Sequence, residues 1–441
     1  MFRKILIITA LVIVLLLVLN LLVSSMVTRS INEGLRDIVI EQDDTTFVEI
    51  NFDETNVNTL SSSFTINGLR LYNTGNENET TIGHLAVNLS YRDFFALILP
   101  RSEGEPPVIR RGQLRMSDFE FISGSSGPGY RFDLLMTRID GNLNELVRAF
   151  DTGFAIPPRH SQEVEAEVLR FQYFYTFSNE TLGISRDFPM PEIERFYIQG
   201  TYSPGDDIFN VSSMSVELDQ LMLRADASLE HISSFSRHLA SVDSGNEQPQ
   251  PFLSLNARAE PKTTLLEVGE GGGGLHFDKM NVTYAGPFFE GVEMRDIFFT
   301  DGAEISLAAE NFTFFMPRVF IETYGAMFGF LGIPSDSFFL PGLRSSFSVD
   351  GNQAIIENFA LENPFATVEV KGRLTLGSDD IALARWEGAA VNITPRTDQS
   401  REFIRSVSSF FNLRLQQEDD TYIIPLTGTL GEPRLEGISR D

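Results

Sequence analysis

Apolar side chains form one long uninterrupted run near the start of the chain. Residues 5–23 (ILIITALVIVLLLVLNLLV) carry no charge, and Thr9 and Asn20 are their only polar members. At about 1.5 Å per helical residue this run reaches about 28 Å, close to the hydrocarbon thickness of a bilayer. The pattern predicts a transmembrane helix over residues 5–26. Basic residues at positions 3 and 4 predict a cytoplasmic start over 1–4, with the rest of the chain on the far side of the membrane.

A cleaved signal peptide is the alternative interpretation of this run. Signal peptides usually have an apolar stretch of about 7–15 residues followed by a small-residue cleavage site. The stretch here is longer, and V-S-S at 23–25 is a weak cleavage site. Ile31, Leu35 and Ile38 then continue a helical apolar spacing. We therefore expect an uncleaved anchor that runs on as a helical extension over 27–40.

From residue 45 the apolar positions alternate with polar ones, which is typical of half-buried strands. The predicted strands are 45–52, 64–71, 82–90, 108–122, 164–175, 195–202, 210–218, 221–229, 275–284, 305–309, 312–315, 346–350, 354–361, 366–376, 381–393, 422–426 and 429–435. Helices are predicted over 142–150, 317–331 and 400–411, and 91–99 is predicted as a short helix or strand. The pattern indicates an all-β, mainly antiparallel protein with a few short helices.

Glycines divide the predicted β-rich part of the chain. The stretch GEGGGG at 269–274 is predicted to be a flexible loop. We therefore expect a β-rich region over 41–268 and a second one over 275–441.

The apolar faces of so many strands need a cover, and the predicted helices are too few to supply it. A second sheet in a sandwich, closure into a barrel, or an elongated curved sheet whose groove is filled by acyl chains would each do so. Periodicity favours a sandwich-type core but does not separate a dry core from a lipid-lined groove. The residues expected to line that core or groove are Phe64, Leu69, Leu71, Leu85, Leu89, Phe171, Phe312, Phe314, Leu374 and Leu376.

Charge narrows the classes of partner. The chain has 61 acidic and 34 basic residues and a net charge of −27. Nucleic-acid binding depends on basic residues that displace counterions, so this balance argues against it. A salty habitat is the simpler explanation of such an acidic surface. The absence of Cys excludes disulfides, thiolate metal sites and a Cys nucleophile.

No motif predicts catalysis or a cofactor. The five histidines are scattered without the spacing of a metal site, and GEGGGG lacks the Lys-Ser/Thr of a phosphate-binding loop. The acidic pairs at 206–207, 379–380 and 419–420 lie in predicted turns, where Asp is favoured; a weak calcium site is the alternative. We therefore expect a protein that is not an enzyme and that has no catalytic, cofactor-binding or metal-binding residues.

Several stretches resemble the AsmA-like superfamily of bacterial envelope proteins. They are SSSFTINGLRLYN at 61–73, TTIGHLAVNLSYRDFFAL at 80–97 and GNQAIIENFALENPFATVEVKGRLTL at 351–376. The end of the chain, SFFNLRLQQEDDTYIIPLTGTLGEPRLEG at 409–437, also resembles type II secretion protein N. Both families close on a strand pair of the form I-P-L-x-G-T-L-x-x-P. Here its residues are Ile424, Pro425, Leu426, Gly428, Thr429, Leu430 and Pro433.

The resemblance implies a β-rich periplasmic body held to the bacterial inner membrane by one span. For AsmA-like proteins it implies a hydrophobic groove that binds or conveys phospholipid for outer-membrane biogenesis and envelope integrity. The partners would then be membrane lipids, through their acyl chains, and outer-membrane proteins. For secretion protein N it implies instead a structural or assembly component that contacts secretion-machinery proteins.

Overall fold

The computed structural model consists mainly of antiparallel β-sheet. It describes residues 24–25, 28–29, 40–43, 46–98, 108–124, 127–152, 156–179, 184–189, 191–234, 250–268, 273–288, 300–330, 336–377, 380–410 and 415–436. Contacts divide the chain into two compact units, unit 1 over Met1–Asp219 and unit 2 over Gln220–Asp441. This boundary precedes the Gly-rich stretch at which the sequence pattern places it.

Unit 1 contains eleven strands and two helices among its described residues. The strands are β1 Ile40–Asp43, β2 Thr46–Asn51, β3 Glu54–Asn58, β4 Ser63–Asn73, β5 Asn78–Leu89, β6 Arg111–Ile122, β7 Gly127–Asp140, β8 Gln162–Asn179, β9 Ile184–Pro189, β10 Ile193–Ser203 and β11 Ile208–Leu218. The helices are α1 Tyr91–Ile98 and α2 Leu143–Asp151. Near the start of the chain, Ser24, Ser25, Thr28 and Arg29 are also helical.

The strands of unit 1 form a meander. β4 to β8 pair in chain order, and β10 and β11 continue the sheet beyond β8. β2 and β3 share the free edge of β4, β1 pairs with β2, and β9 pairs with the last residues of β8. Among the described strands no pairing connects β11 back to β1, β2 or β3, so this sheet is open.

Unit 2 contains thirteen strands and two α-helices in its described part. The strands are β12 Leu221–Glu230, β13 Phe252–Pro261, β14 Leu266–Val268, β15 Gly273–His276, β16 Lys279–Pro287, β17 Glu304–Phe315, β18 Ser337–Asp350, β19 Gln353–Glu362, β20 Ala366–Thr375, β21 Arg385–Pro395, β22 Gln416–Glu418, β23 Thr421–Gly428 and β24 Pro433–Leu435. The helices are α3 Arg318–Phe330 and α4 Asp398–Phe410, with 3₁₀ turns at Ile232–Ser234 and Ile381–Leu383.

Unit 2 is a second antiparallel meander. Its strand order is β12, β13, β16, β17, β18, β19, β20, β21 and β23. The β14–β15 hairpin pairs with the last residues of β17, and β22 and β24 pair with β23. The prediction of a mainly antiparallel β protein with few short helices is therefore confirmed.

A line of residues interrupts the strand pairing across unit 1, and we call it the crease. It consists of Gly68, Gly83, Asp118, Asp133 and Arg170, which face one another on β4 to β8 and are skipped by the ladder. Gly68, Asp118 and Arg170 have φ values of 63°, 53° and 56°. Such a left-handed residue turns the strand, so apolar residues three apart come to lie on the same face.

The packing around the crease shows this effect. Ile66 and Leu69, on either side of Gly68, are both buried in one cluster with Ile82. On the crease itself, Arg170 Nη1 donates to Asp133 Oδ2 at 3.0 Å, and Arg170 Nε donates to Glu192 Oε1 at 3.3 Å. The crease therefore keeps one face of the sheet apolar along the whole length of each strand.

The structure corrects several predicted element boundaries. Gly273 and Gly274, predicted as part of a loop, begin β15. The single strand predicted over 275–284 is two strands, because the chain turns at 277–278 between β15 and β16. The start of the strand predicted over 381–393 is a 3₁₀ turn.

Other strands begin earlier than the pattern predicts or are not predicted at all. β18 begins at Ser337, nine residues before the predicted start at 346. β7 is not predicted, because three consecutive apolar residues at 134–136 hide its alternation. Residue 40, predicted to end a helical extension, belongs to β1.

The predicted membrane segment falls almost entirely outside the described residues. Of residues 5–26 only Ser24 and Ser25 are described, and both are helical. In the part of the chain that the structure describes, we find no helix with both the length and the apolar character needed to cross a membrane.

Replacing Gly68 with Ala is expected to destabilise unit 1. A Cβ on Gly68 would lie 2.1 Å from Asp53 Oδ2, and the left-handed backbone costs an L-residue about 1–2 kcal/mol. We expect a lower thermal midpoint for G68A than for wild type. The control is G205A, because a Cβ on Gly205 meets no atom within 4 Å. Equal midpoints for the two variants would contradict the assigned role of the crease.

Candidate functional site

One face of the unit 1 sheet is apolar across seven successive strands, and we call it the unit 1 apolar face. Two adjacent cross-strand rows define it. The first is Ile66, Leu85, Met116, Leu135, Val168, Phe196 and Val216, and the second is Phe64, Val87, Leu114, Thr137, Ala166, Ile198 and Met214. Ile66 is buried, whereas the other thirteen side chains are only half-buried. Solvent therefore reaches most of this face.

The opposite face of the same strands is polar. Its neighbouring row is Thr65, Ala86, Arg115, Met136, Glu167, Tyr197 and Ser215. Apart from Ala86 and Met136, this row consists of polar, charged or hydroxyl-bearing side chains, so the two faces of the sheet differ in chemistry on most of its strands.

Ion pairs and a hydrogen bond connect several charged and polar side chains on this polar face. Arg195 Nε donates to Glu167 Oε1 at 2.7 Å, and Arg195 Nη1 lies 3.6 Å from Glu217 Oε1. The Tyr197 hydroxyl donates to Glu165 Oε1 at 3.1 Å. Burial, and then this hydrogen bond, raise the pKa of Tyr197, so its hydroxyl stays protonated as a donor.

Aromatic rings extend the unit 1 apolar face beyond the crease. Phe119 stacks on Phe132 with ring centroids 4.5 Å apart. Tyr130 lies 5.6 Å from Phe119 and 5.0 Å from Phe121, and Phe171 lies 6.4 Å from Tyr130. Tyr130 remains 37% exposed. This end of the face is thus a broad aromatic surface that solvent reaches.

Unit 2 has a corresponding surface, the unit 2 apolar face. Its longest row crosses nine strands and consists of Leu223, Ala259, Met280, Ala309, Leu343, Leu361, Val368, Ile393 and Tyr422. The larger aliphatic members, from Leu343 to Ile393, are half-buried. A buried cluster of Tyr284, Ala303, Ile305 and Val349 lies on the same face.

The predicted lining residues of unit 1 fall into three places. Phe64, Leu69, Leu71 and Leu85 gather in the cluster around Ile66, in which Leu69 is buried. Leu89 faces Gly112 across β5 and β6, in register with the apolar face. Phe171 belongs to the aromatic surface.

The predicted lining residues of unit 2 fall into two places. Phe312 and Phe314 follow the left-handed Asn311 on β17 and face Leu340 and Phe338 of β18. Leu374 and Leu376 pack with Ala354, Ala384 and Trp386, and Leu374 is buried. The structure thus brings Leu374 and Leu376 together in one cluster of unit 2.

A pocket opens at one end of the unit 2 apolar face, and we call it the α4 pocket. Its volume is about 360 Å³. It is lined by Ser337, Phe338 and Phe339 of β18, Asn363, Pro364, Phe365 and Ala366 at the β19–β20 turn, Ile393 of β21, and Gln399, Ser400, Phe403 and Ile404 of α4. Its four phenylalanines are 36–43% exposed. Several large apolar side chains thus face solvent at one place.

Sequence patterns do not predict this pocket. Strands β20 and β21 and helix α4 are predicted, but the lining residues of β18 precede its predicted start, and no local spacing connects wall positions between 337 and 404. The one local signal is Phe338-Phe339, two adjacent apolar residues where a half-buried strand would alternate.

The C-terminal motif forms a closing hairpin. Ile424 and Leu426 of β23 are buried, and Pro425 between them is exposed. Gly428 has φ 86°, and a Cβ there would lie 2.5 Å from the Glu432 carbonyl oxygen, so this position requires glycine. Leu430 N–H donates to the Ala384 carbonyl at 2.8 Å, and β24 begins at the motif's last residue, Pro433.

In the described residues we find no group of three or more His, Asp or Glu side chains that could hold a metal. One carboxyl group with a shifted pKa is that of Glu145 on α2. Burial raises its pKa, but hydrogen bonds from the His160 ring and from the His160 and Arg159 N–H groups outweigh this effect and lower it. These contacts hold the segment before β8 against α2.

The acidic pairs take structural roles where they are described. Asp207 and Asp419 adopt left-handed turn conformations, with φ values of 54° and 53°. Asp380 accepts a hydrogen bond from Ala382 N–H at 2.9 Å and caps the 3₁₀ turn. Asp379 and His238 lie outside the described residues.

Comparison with protein-family models, with curated proteins and with solved structures finds no match. The resemblance to AsmA-like proteins and to secretion protein N therefore stays a prediction from sequence.

Proposed function

We propose that this protein is an inner-membrane-anchored periplasmic protein that binds or conveys phospholipid, with acyl chains on the apolar faces of its sheets. The observation that carries the proposal is the half-buried state of the unit 1 apolar face. Thirteen of the fourteen side chains in its two rows are partly open to solvent, although all but Thr137 are apolar.

An exposed apolar face of this extent is unfavourable in water. Each Å² of apolar surface left in water costs about 25 cal/mol, and monomeric proteins rarely expose continuous patches above a few hundred Å². A bound hydrocarbon chain would cover such a face without bringing polar groups that need partners. The polar face on the other side of the strands would stay in water.

The contrast between the two faces also indicates which part of a phospholipid would bind to the sheet. Arg195 is paired with both Glu167 and Glu217 on the polar face, and these three side chains together keep a net charge of −1. The net charge of −27 disfavours an anionic ligand held by charge alone. Acyl chains, rather than headgroups, are therefore the part of a phospholipid that the sheet would recognise.

Photocrosslinking tests the proposal on the full chain in its host membrane. A photoreactive amino acid at Leu71, whose side chain lies in the cluster of the apolar face, should give phospholipid adducts. The matched control is the adjacent Arg70, which is exposed and should give none. Adducts are identified by mass spectrometry after irradiation.

Equal labelling at both positions, or none at Leu71, would count against lipid on this face. Protein adducts at Leu71 in place of lipid would favour the alternative, a component of a secretion machinery that uses the face for protein contacts.

A further inference from the structure

We infer that the α4 pocket binds the methyl end of a single acyl chain. The inference rests on the proposed function, because the pocket continues the unit 2 apolar face. Ile393 belongs both to the pocket wall and to the long row of that face. Phe338 of the wall faces Phe314 across β17 and β18.

The size and chemistry of the pocket fit one hydrocarbon chain. Its volume of about 360 Å³ lies at the small end of ligand pockets, which range over about 300–1,000 Å³. Phenylalanines from β18, the β19–β20 turn and α4 form its walls. The methylene and methyl groups of a hydrocarbon chain are apolar, so such a chain can fill an apolar pocket without leaving a donor or acceptor unsatisfied.

Three of the four polar side chains in the wall already make hydrogen bonds within the protein, and the fourth, Gln399, is exposed. Asn363 Oδ1 accepts the N–H groups of Phe365 and Ala366, both at 2.8 Å. Ser400 Oγ accepts Thr397 N–H at 3.1 Å. A peptide segment in the pocket would bury N–H and C=O groups that these side chains are not placed to satisfy. The wall therefore favours a hydrocarbon over a peptide.

Two arginines close in sequence to the lining residues are also paired with acidic side chains. Arg396 lies 3.2 Å from Glu362, and Arg401 lies 2.7 Å from Asp398 and 3.3 Å from Asp420. Because both arginines already have acidic partners, neither is free to hold the carboxylate or phosphate of a lipid. The headgroup would stay outside while the chain enters by its methyl end. A free fatty acid and a phospholipid share this chain chemistry.

Peptide mapping of photoadducts tests the site without any substitution. The full chain, held in nanodiscs, is irradiated with palmitate that carries a diazirine near its methyl end, or with a phosphatidylethanolamine labelled at the same place. Adducts should map to α4 and to Phe338-Phe339. Labelling by palmitate alone identifies a free fatty acid as the source, and labelling by the phospholipid identifies a lipid of the membrane. The absence of adducts at these positions with both probes would overturn the inference.

A filled pocket provides the matched test. Ala366 lines the pocket, and A366W should lower adduct formation on α4 by about tenfold or more. R405W is the control, since Arg405 is exposed and lies on the side of α4 opposite to the lining residues. Equal labelling of A366W and R405W would overturn the inference. Lipid adducts on the peptide that contains Leu71 are measured in the same samples. If adducts form there but not on α4, this site fails while the proposed function stands.

Discussion

Replacing Leu135 with Glu should lower lipid binding to unit 1 by a factor on the order of 70. Leu135 occupies the middle of the first row of the apolar face, between Met116 and Val168. An acidic side chain placed in hydrocarbon costs about 2.5 kcal/mol or more, which corresponds to that factor in affinity. The quantity to measure is the yield of phospholipid adducts at Leu71 in the full chain.

The adjacent residue supplies the control for this substitution. Met136 follows Leu135 on β7, points to the polar face and is 36% exposed. M136E introduces the same carboxylate one residue away and should leave the adduct yield unchanged. Thermal midpoints of the two variants show whether both are folded. Equal adduct yields in two folded variants would contradict lipid binding by the apolar face.

The strand pattern of this chain could be predicted because most strands have one apolar and one polar face. β4, β5 and β8 alternate over long stretches, and their predicted positions agree with the structure. β7 shows where this reasoning stops. Its alternation changes phase at Asp133, as that of β4, β5 and β8 does at the crease, but on β7 the three consecutive apolar residues at 134–136 also hide the alternation. Local spacing does not show which of these three side chains faces the apolar side.

The ten residues predicted to line a core or groove show the same limit. Periodicity selects the apolar phase of each strand, and the structure places these residues in apolar clusters of their own units. Periodicity does not tell how much of each side chain stays in contact with solvent. Leu69 and Leu374 are buried, whereas Leu71 and Leu85 are half-buried. Only three-dimensional packing separates these two states, and it also creates the α4 pocket from distant segments.

The start of the chain offers a second prediction of large effect. Thr28 Oγ1 accepts Val57 N–H at 3.0 Å, and Ser24 Oγ accepts Thr59 N–H at 3.3 Å. Ser24 and Thr28 are four residues apart in a helix, a separation of about 6 Å. Val57 and Thr59 are two residues apart in an extended segment, about 6.6 Å. The two spacings match. The hydroxyl groups of Ser24 and Thr28 can therefore accept the backbone N–H groups at the edge of β3 that faces away from β4.

Replacing Thr28 with Val should expose the Val57 amide to exchange. Val57 is only 1% exposed, so its N–H would lose its acceptor while buried, at a cost of about 1–3 kcal/mol. We expect hydrogen exchange at Val57 to accelerate by about 5- to 150-fold, as measured by exchange mass spectrometry on the full chain.

Thr28→Ser is the matched control because it retains the hydroxyl that accepts this hydrogen bond. The Ile66 amide of β4, the strand that pairs with the other edge of β3, serves as an internal reference. Exchange at Ile66 should stay the same in all three proteins, since the substitution removes a contact at the outer edge of β3 only. Similar exchange at Val57 in the Val and Ser variants would contradict the role of the hydroxyl. Faster exchange in the Val variant alone would mean that the helical residue Thr28 is held by a hydrogen bond against the β3 edge of the unit 1 sheet.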